Sequence, residues 1–324
     1  MKATITLLIS TYNWKEALQL CLQSILVQTR LPDEIVIADD GSREDTKEVI
    51  DQFREQISVP VIHVWQEDHG FRKTIIMNKA VAQAHGDYLI QIDGDVILER
   101  HFIKDHVEMM EEGYYVCGSR TKIGPIVTNK LLTDTNLRLK LSQLKLSFVL
   151  NGIRSAVLRR FLSKRYARKI DHMRGCNFAC WRSDFIKVNG YNENLLEWGH
   201  EDGELVYRLH FAGVEKKALK MGGIVYHLWH KESSRHNEQA HFKALEEVKS
   251  GKLKWCNNGI DKYLKNNGEE KRTCTGFVFA AVSSDTGERC MVEKGIYRMD
   301  ECRKGQTAVS GTLSAACSCR PGIL

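Results

Sequence analysis

His85-Gly86-Asp87-Tyr88-Leu89-Ile90-Gln91-Ile92-Asp93-Gly94-Asp95 is the stretch on which the fold turns. Gly86-Asp87 is turn chemistry, and Tyr88, Leu89, Ile90 and Ile92 favour extended backbone. The segment therefore predicts a short strand that ends in two carboxylates. Side chains two apart on an extended chain project to one side. Asp93 and Asp95 so placed repel unless a cation lies between them. Oxygen donors at the carboxyl edge of a strand suit Mn²⁺ or Mg²⁺, and that edge is where open α/β sheets bind ligands. Asp-Gly-Asp alone is also an ordinary polar turn, so its meaning depends on its surroundings.

Upstream, residues 3–10 form a continuous apolar run with β-branched side chains, which predicts a buried parallel strand. Thr11-Tyr12-Asn13 follows as a loop at its carboxyl end. Residues 15–28 carry Leu18, Cys21, Leu22, Ile25 and Leu26 at helical spacing. A second strand over 34–38 ends in Asp39-Asp40-Gly41-Ser42. A helix over 44–53, a strand over 61–65 and a helix over 74–85 lead back to the opening stretch. Strands alternating with helices through short connections predict a mostly parallel α/β sheet with crossover helices. Asn13, Asp39-Asp40 and Asp93-Asp95 then converge on one rim. The chain has no GxGxxG and no GxxxxGK[ST], which argues against a dinucleotide fingerprint or a P-loop.

The 324 residues, 43% hydrophobic and 27% charged, fit one large globular domain or a domain plus an appendage. The net charge of +6 is uneven: residues 120–174 hold 14 Lys/Arg against Asp134 and Asp171, a local +12, which leaves −6 elsewhere. Ten cysteines divide into five before residue 260 and five after. The first five sit in apolar contexts and read as reduced core residues. No signal peptide and no run of 18 apolar residues is visible, so a cytoplasmic protein is expected.

The motif series Leu7-Leu8-Ile9-Ser10-Thr11-Tyr12-Asn13, Ser24-Ile25-Leu26-Val27-Gln28-Thr29 and Asp33-Glu34-Ile35-Val36-Ile37-Ala38-Asp39-Asp40-Gly41-Ser42 resembles the amino-terminal half of family 2 glycosyltransferases, nucleotide-sugar enzymes of the GT-A fold. The resemblance covers residues 3–264. It implies that Thr11, Tyr12 and Asn13 line the nucleotide and that Asp39 contacts the base. It also implies that Asp93 and Asp95 carry the metal bridging the donor diphosphate. Arg72, beside Lys73 in Asp68-His69-Gly70-Phe71-Arg72-Lys73, is expected near the donor phosphates; the plainer alternative is a solvated charge at a helix start.

Trp198-Gly199-His200-Glu201-Asp202-Gly203-Glu204-Leu205 crowds three acids ahead of an amphipathic run. Acids at a helix amino terminus are favourable in themselves. Trp-Gly-x-Glu-Asp also looks like the acceptor motif of the galactosyltransferase and chondroitin-polymerase branch. By that resemblance Asp202 is the general base, Glu201 orients the acceptor and Trp198 offers a stacking face. Repulsion from Glu201 and Glu204 is expected to raise the Asp202 pKa. In the same branch a histidine completes the metal site; His227 in Val225-Tyr226-His227-Leu228-Trp229-His230 is the first choice and His230 the alternative. Imidazole with two carboxylates favours Mn²⁺ over Mg²⁺.

Residues 131–170 interleave apolar side chains at helical spacing with many basic ones. This resembles interfacial helices that meet anionic lipid, although a solvated basic face on a packed hairpin fits as well. With two aromatics, Phe148 and Phe161, before Tyr166, nucleic-acid binding is not expected. Residues 265–324 resemble nothing in the family and carry Cys274, Cys290, Cys302, Cys317 and Cys319.

The resulting expectation is a GT-A domain over 1–264 with a basic helical insertion, followed by a cysteine-rich tail. Its activity would be inverting, metal-dependent transfer from a UDP-sugar to a glycan or lipid-linked hydroxyl in surface polysaccharide synthesis, at the inner membrane face. Two rivals stand beside it. A nucleotidyltransferase would need a glycine-rich basic amino-terminal loop that is missing here, and a non-catalytic glycan- or membrane-binding module leaves the acids unexplained.

Overall fold

The computed structural model describes residues 3–134, 152–167, 170, 173–197, 199–231, 238–264, 273–282 and 289–298. The chain divides into two compact units, Met1–Asp261 and Lys262–Leu324.

The first unit is built on a seven-stranded sheet. β1 (Ile5–Thr11), β2 (Glu34–Asp39), β3 (Val61–Trp65) and β4 (Tyr88–Asp93) alternate with α1 (Lys15–Leu26), α2 (Glu44–Arg54) and α3 (Lys73–Gln83). Ile5, Leu7, Ile9, Ile35, Ile37, Ile90 and Ile92 pack with Leu18, Leu22 and Ile25 of α1 in one core. Strands buried on both faces are expected to read as near-continuous apolar runs, as β1, β2 and β4 do apart from their polar ends and the buried Thr6 and Gln91.

The chain continues through β5 (Val96–Leu98), α4 (Phe102–Met109), β6 (Tyr114–Gly118), β7 (Arg120–Lys122), α5 (Pro125–Asp134) and α6 (Ala156–Arg165). Then come β8 (Phe178–Trp181), α7 (Arg182–Lys187), α8 (Glu201–Phe211), β9 (Glu215–Leu219), β10 (Val225–His227) and α9 (Glu238–Gly251). The sheet order is β3-β2-β1-β4-β8-β6-β9, in which β8 alone runs against its neighbours β4 and β6. The order reverses between β1 and β4, and such a switch point opens a crevice at the strand ends. Register carries the side chains there: Thr11 pairs with Asp39, and Ser10 with Asp93.

Two features lay outside the sequence reading. Because β8 is antiparallel, its beginning lies at the carboxyl rim, so the 3-10 turn Gly175–Asn177 just before it sits beside the end of β4. A second sheet, β5-β10-β7, pairs His227 with Val96 on one side and with Lys122 on the other. Of the expected basic insertion, α5 and α6 are described, while residues 135–151 lie outside the described residues. No described helix is long and apolar enough to cross a membrane. Cys21, Cys117, Cys176, Cys180 and Cys256 are free and buried. In the second unit β11 (Thr273–Val282) and β12 (Arg289–Arg298) form an antiparallel pair.

Candidate active site

A cavity of about 650 Å³ opens at the switch point, lined among others by Ser10, Thr11, Tyr12, Lys73, Asp93, Asp95, Glu201, Asp202, His227 and His230. Ends of β1 and β4 form its floor. The amino termini of α3 and α8 point Lys73 and Glu201-Asp202 into it.

Asp95, His227 and His230 are drawn together by the small sheet. The Leu228 N–H donates to the Asp95 carbonyl at 3.0 Å, which ties the histidine segment to the Asp-Gly-Asp turn. The Asp95 Oδ2 atom lies 3.4 Å from His227 Nε2 and 3.3 Å from His230 Nε2. One ligand atom from each residue falls within 4.8 Å of the others. His227 Nδ1 lies 2.8 Å from the Leu228 carbonyl and His230 Nδ1 2.8 Å from the Lys231 carbonyl. A carbonyl only accepts, so each Nδ1 carries a proton, and in the neutral imidazole each Nε2 would direct a lone pair towards Asp95. Burial lowers the His227 pKa against the pull of Asp95, favouring the neutral imidazole that a metal requires. Asp95 Oδ1 is buried with no hydrogen-bond partner. One orphaned carboxylate oxygen and two imidazole lone pairs are a donor set that fits a divalent cation such as Mn²⁺.

Asp93 stands apart from that cluster. Its Oδ1 accepts from Lys73 Nζ at 2.6 Å and from Ser10 Oγ at 2.8 Å. Burial pushes its carboxyl up, but the Lys73 ammonium and these hydrogen bonds outweigh burial and hold it below the ordinary value. Lys73 stays charged because Asp93, and beyond it Asp202 and Glu201, outweigh its own desolvation.

Asp202 faces the same cavity from the other side. The Gly175 N–H donates to its Oδ2 at 2.7 Å, and the Tyr191 hydroxyl to its Oδ1 at 3.2 Å. Gln91 Nε2 donates to Tyr191 Oη at 2.9 Å and bonds the Gly175 carbonyl at 3.2 Å. A Cβ on Gly175 would lie 2.7 Å from the Asp202 oxygens, so only glycine permits this approach. Tyr191 is held in turn by Asn78, whose Nδ2 donates to the Tyr191 carbonyl and whose Oδ1 accepts from the Tyr191 N–H, both at 2.8 Å.

Burial raises the Asp202 pKa, with Lys73 opposing and Asp93 adding to the rise. Burial, then repulsion from Asp202, pushes Glu201 up to about 8. Glu204, expected to repel Asp202, is instead turned into the core and paired with Arg208, with contacts of 2.8 and 2.5 Å. Glu201 Oε2 accepts from the Gly199 N–H at 3.0 Å.

The nucleotide-side residues divide. Thr11 and Tyr12 line the cavity. Asn13 is spent on the loop: its N–H donates to Ser42 Oγ at 2.9 Å and its Oδ1 accepts from the Arg43 N–H at 3.0 Å. Asp39 is buried, bonded to His63 Nε2 at 2.9 Å and to the Ser42 N–H at 2.8 Å, and Asp40 is the member of that pair on the cavity wall. The Arg72 N–H donates to Asp40 Oδ2 at 2.7 Å, and its guanidinium bonds the Glu67 carbonyl. Trp198 lies outside the described residues. Sequence reasoning missed Gln91, Tyr191, Gly175 and Arg120 as site residues. No spacing rule in the sequence links Gly175 to Asp202.

The profile of the N-terminal domain of galactosyltransferase matches residues 156–231, which span Asp202 and both histidines. A Pasteurella multocida chondroitin synthase is 25% identical over 69% of this chain and 24% of its own, and an Escherichia coli chondroitin synthase 22% identical over 69% and 34%. The chain thus spans a quarter to a third of the length of these relatives. Among solved structures, S. aureus TarS 1-349 in complex with UDP-GlcNAc superposes with a TM-score of 0.55 at 13% identity, over 82% of this chain and 72% of that one. This likeness shows the shared GT-A fold. The profile of glycosyl transferase family 2 matches residues 6–188, more than half of the chain, and the protein belongs to that family.

Proposed function

We propose that this glycosyltransferase moves a sugar from a UDP-sugar to a hydroxyl of a glycan or lipid-linked acceptor, with inversion at the anomeric carbon, in the synthesis of a surface polysaccharide. The observation that carries this reading is one cavity with a half-buried carboxylate, Asp202, on one wall and the Asp95, His227 and His230 cluster on another. Asp202 accepts the acceptor hydroxyl proton on an oxygen already oriented by Gly175 or Tyr191. The acceptor oxygen bonds to the anomeric carbon as the bond to the nucleoside diphosphate breaks, and the departing diphosphate carries away the electron pair. Bound by Asp95, His227 and His230, with Asp93 beside them, Mn²⁺ or Mg²⁺ would supply Lewis-acid neutralisation of that diphosphate. Lys73 bridges the two walls and favours the ionised forms of Asp93 and Asp202. Thr11 and Tyr12 would line the nucleotide, with Asn13, Asp39 and Arg72 shaping the loops behind them. Glu201, and Trp198 by resemblance, would face the acceptor. The UDP-GlcNAc held by TarS supports a UDP-sugar donor, and the chondroitin synthases support a polysaccharide product.

A nucleotide-release assay tests this. Purified protein is given Mn²⁺ and a panel of UDP- and GDP-sugars, with and without EDTA. Release of UDP from one donor, abolished by EDTA and weakened at least about tenfold in apparent Mn²⁺ affinity by His227→Ala, is the expected outcome. No release from any donor, together with no metal-dependent UDP binding, would leave the binding-module reading.

An anionic membrane is the proposed location of the acceptor. On α6, Val157 is 80% and Phe161 68% exposed, beside the exposed Arg160 and Arg165. Apolar side chains flanked by arginine suit a lipid surface. Flotation with phosphatidylglycerol vesicles should carry the protein, and the double variant Val157→Ser, Phe161→Ser should stay behind; absence of binding by the wild type rules the location out.

A further inference from the structure

The cavity contains two arginines that the reaction described above does not use, Arg120 and Arg174. Arg120 lies in β7, with Lys122 two residues on along the strand and also on the cavity wall. Arg174 directly precedes Gly175, whose N–H holds Asp202. The two segments are tied together, since Asn177 Nδ2 donates to the Ser119 carbonyl at 2.9 Å. Arg174 is exposed and Arg120 half-buried; partial desolvation and the Arg120 charge both lower the pKa of Arg174, and the same charge reaches His227.

Three arginines elsewhere in this unit are matched with buried acids: Arg154 and Arg159 with Asp105, Arg208 with Glu204. Among the described residues, Arg120 and Arg174 have no carboxylate within ion-pair distance. The acids in the cavity have other partners: Asp93 holds Lys73, Asp95 faces two histidines, and Asp202 accepts from Gly175 and Tyr191. Two unpaired cations lining one concave site create a positive potential that favours a ligand anion. Guanidinium groups match planar carboxylates and phosphates through paired N–H donors. On the donor side, positive charge is already supplied by Lys73 and would be supplied by a cation held by Asp95, His227 and His230. Arg174, in contrast, stands one residue from the group that orients the base, where the acceptor hydroxyl must lie.

We propose that Arg174 and Arg120 bind an anionic group of the acceptor, a carboxylate or a phosphate, close to the hydroxyl that Asp202 deprotonates. The proposal rests on the reading of Asp202 as the base. It makes the acceptor an acidic sugar or a phosphate-linked one.

The test uses the full chain saturated with Mn²⁺ and UDP, titrated calorimetrically with three glycosides that differ only at C6. These are methyl β-D-glucoside, methyl β-D-glucuronide and methyl β-D-glucoside 6-phosphate. At least one charged glycoside should bind tenfold or more tighter than the neutral one, and the better of the two distinguishes a carboxylate from a phosphate ligand. Arg174→Gln and Arg120→Gln should each abolish most of that preference, Arg174→Lys should restore part of it, and UDP affinity should stay within twofold. Equal binding of all three glycosides, or no binding of either charged one, overturns the proposal. A fall in UDP affinity that parallels the loss of the charged glycoside also overturns it, because the arginines would then serve the donor. If wild-type protein binds no UDP with Mn²⁺, the donor reading fails instead, and the glycoside titration without UDP still decides whether the anion subsite exists.

Discussion

A carboxylate base must be ionised to act, and the surroundings of Asp202 set when it is. Burial raises its pKa, while hydrogen bonds from Gly175 and Tyr191 favour the charged form and oppose the rise. Activity should therefore fall on the acid side at a pH above the ordinary aspartate range. Tyr191→Phe removes one stabilising donor, so the acid limb of the kcat/KM profile should move to higher pH, with turnover at the optimum down about tenfold. Asp202→Asn should cut turnover by about 10²–10⁴-fold while UDP still binds. Unchanged turnover in Asp202→Asn would remove it as the base. At this scale the sequence displays residue types more plainly than their partners. Glu204 looked like a neighbour that would repel Asp202, yet it pairs with Arg208 four residues on along the same helix. That pairing was visible in the sequence as an i,i+4 pattern. The bond from Tyr191 to Asp202 was not, because it depends on how a loop closes against α8.

Two helices meet over one buried acid. Asp105 of α4 is fully buried, accepts from the Arg154 Nη2 at 2.7 Å and the Gly223 N–H at 3.0 Å, and pairs with Arg159 of α6 at 2.6 Å. Part of the basic stretch thus points inward to fasten α6, which leaves Val157, Arg160 and Phe161 outward. Removing one member of a buried ion cluster strands the others, at a cost of about 3–5 kcal/mol. Asp105→Ala should lower the melting temperature by about 10 °C, measured by calorimetry. Burial pushes the Asp105 carboxyl up, but the arginines and Gly223 more than offset this, so its folded pKa is depressed. Its contribution is accordingly full above the ordinary aspartate pKa, near 4, and is lost as pH falls through the lower folded value. The difference between wild type and Asp105→Ala should shrink below about pH 4. An unchanged difference at pH 3 would count against this linkage.

On the scale of the whole molecule, the described core and every described cavity residue belong to the first unit. A chain ending at Leu264 should fold, keep its melting temperature within a few degrees and release nucleotide at an undiminished rate. A truncated chain that aggregates or loses UDP binding would show that residues 265–324 complete the domain.

Hydrophobic patterning and turn chemistry were enough to establish the alternating α/β order and the parallel half of the sheet, and they led to the expectation that Asn13, Asp39-Asp40 and Asp93-Asp95 share one rim. These are local properties, carried by side-chain period and by short connections. The antiparallel insertion of β8, the β5-β10-β7 sheet and the choice of partner for each charged group were decided only by tertiary structure. Asp93 takes Lys73, Asp95 takes two histidines more than 130 positions away, and Asp202 takes a main-chain amide. A buried charge accepts whichever counter-group the packed chain delivers within about 3 Å, and sequence spacing does not encode that distance.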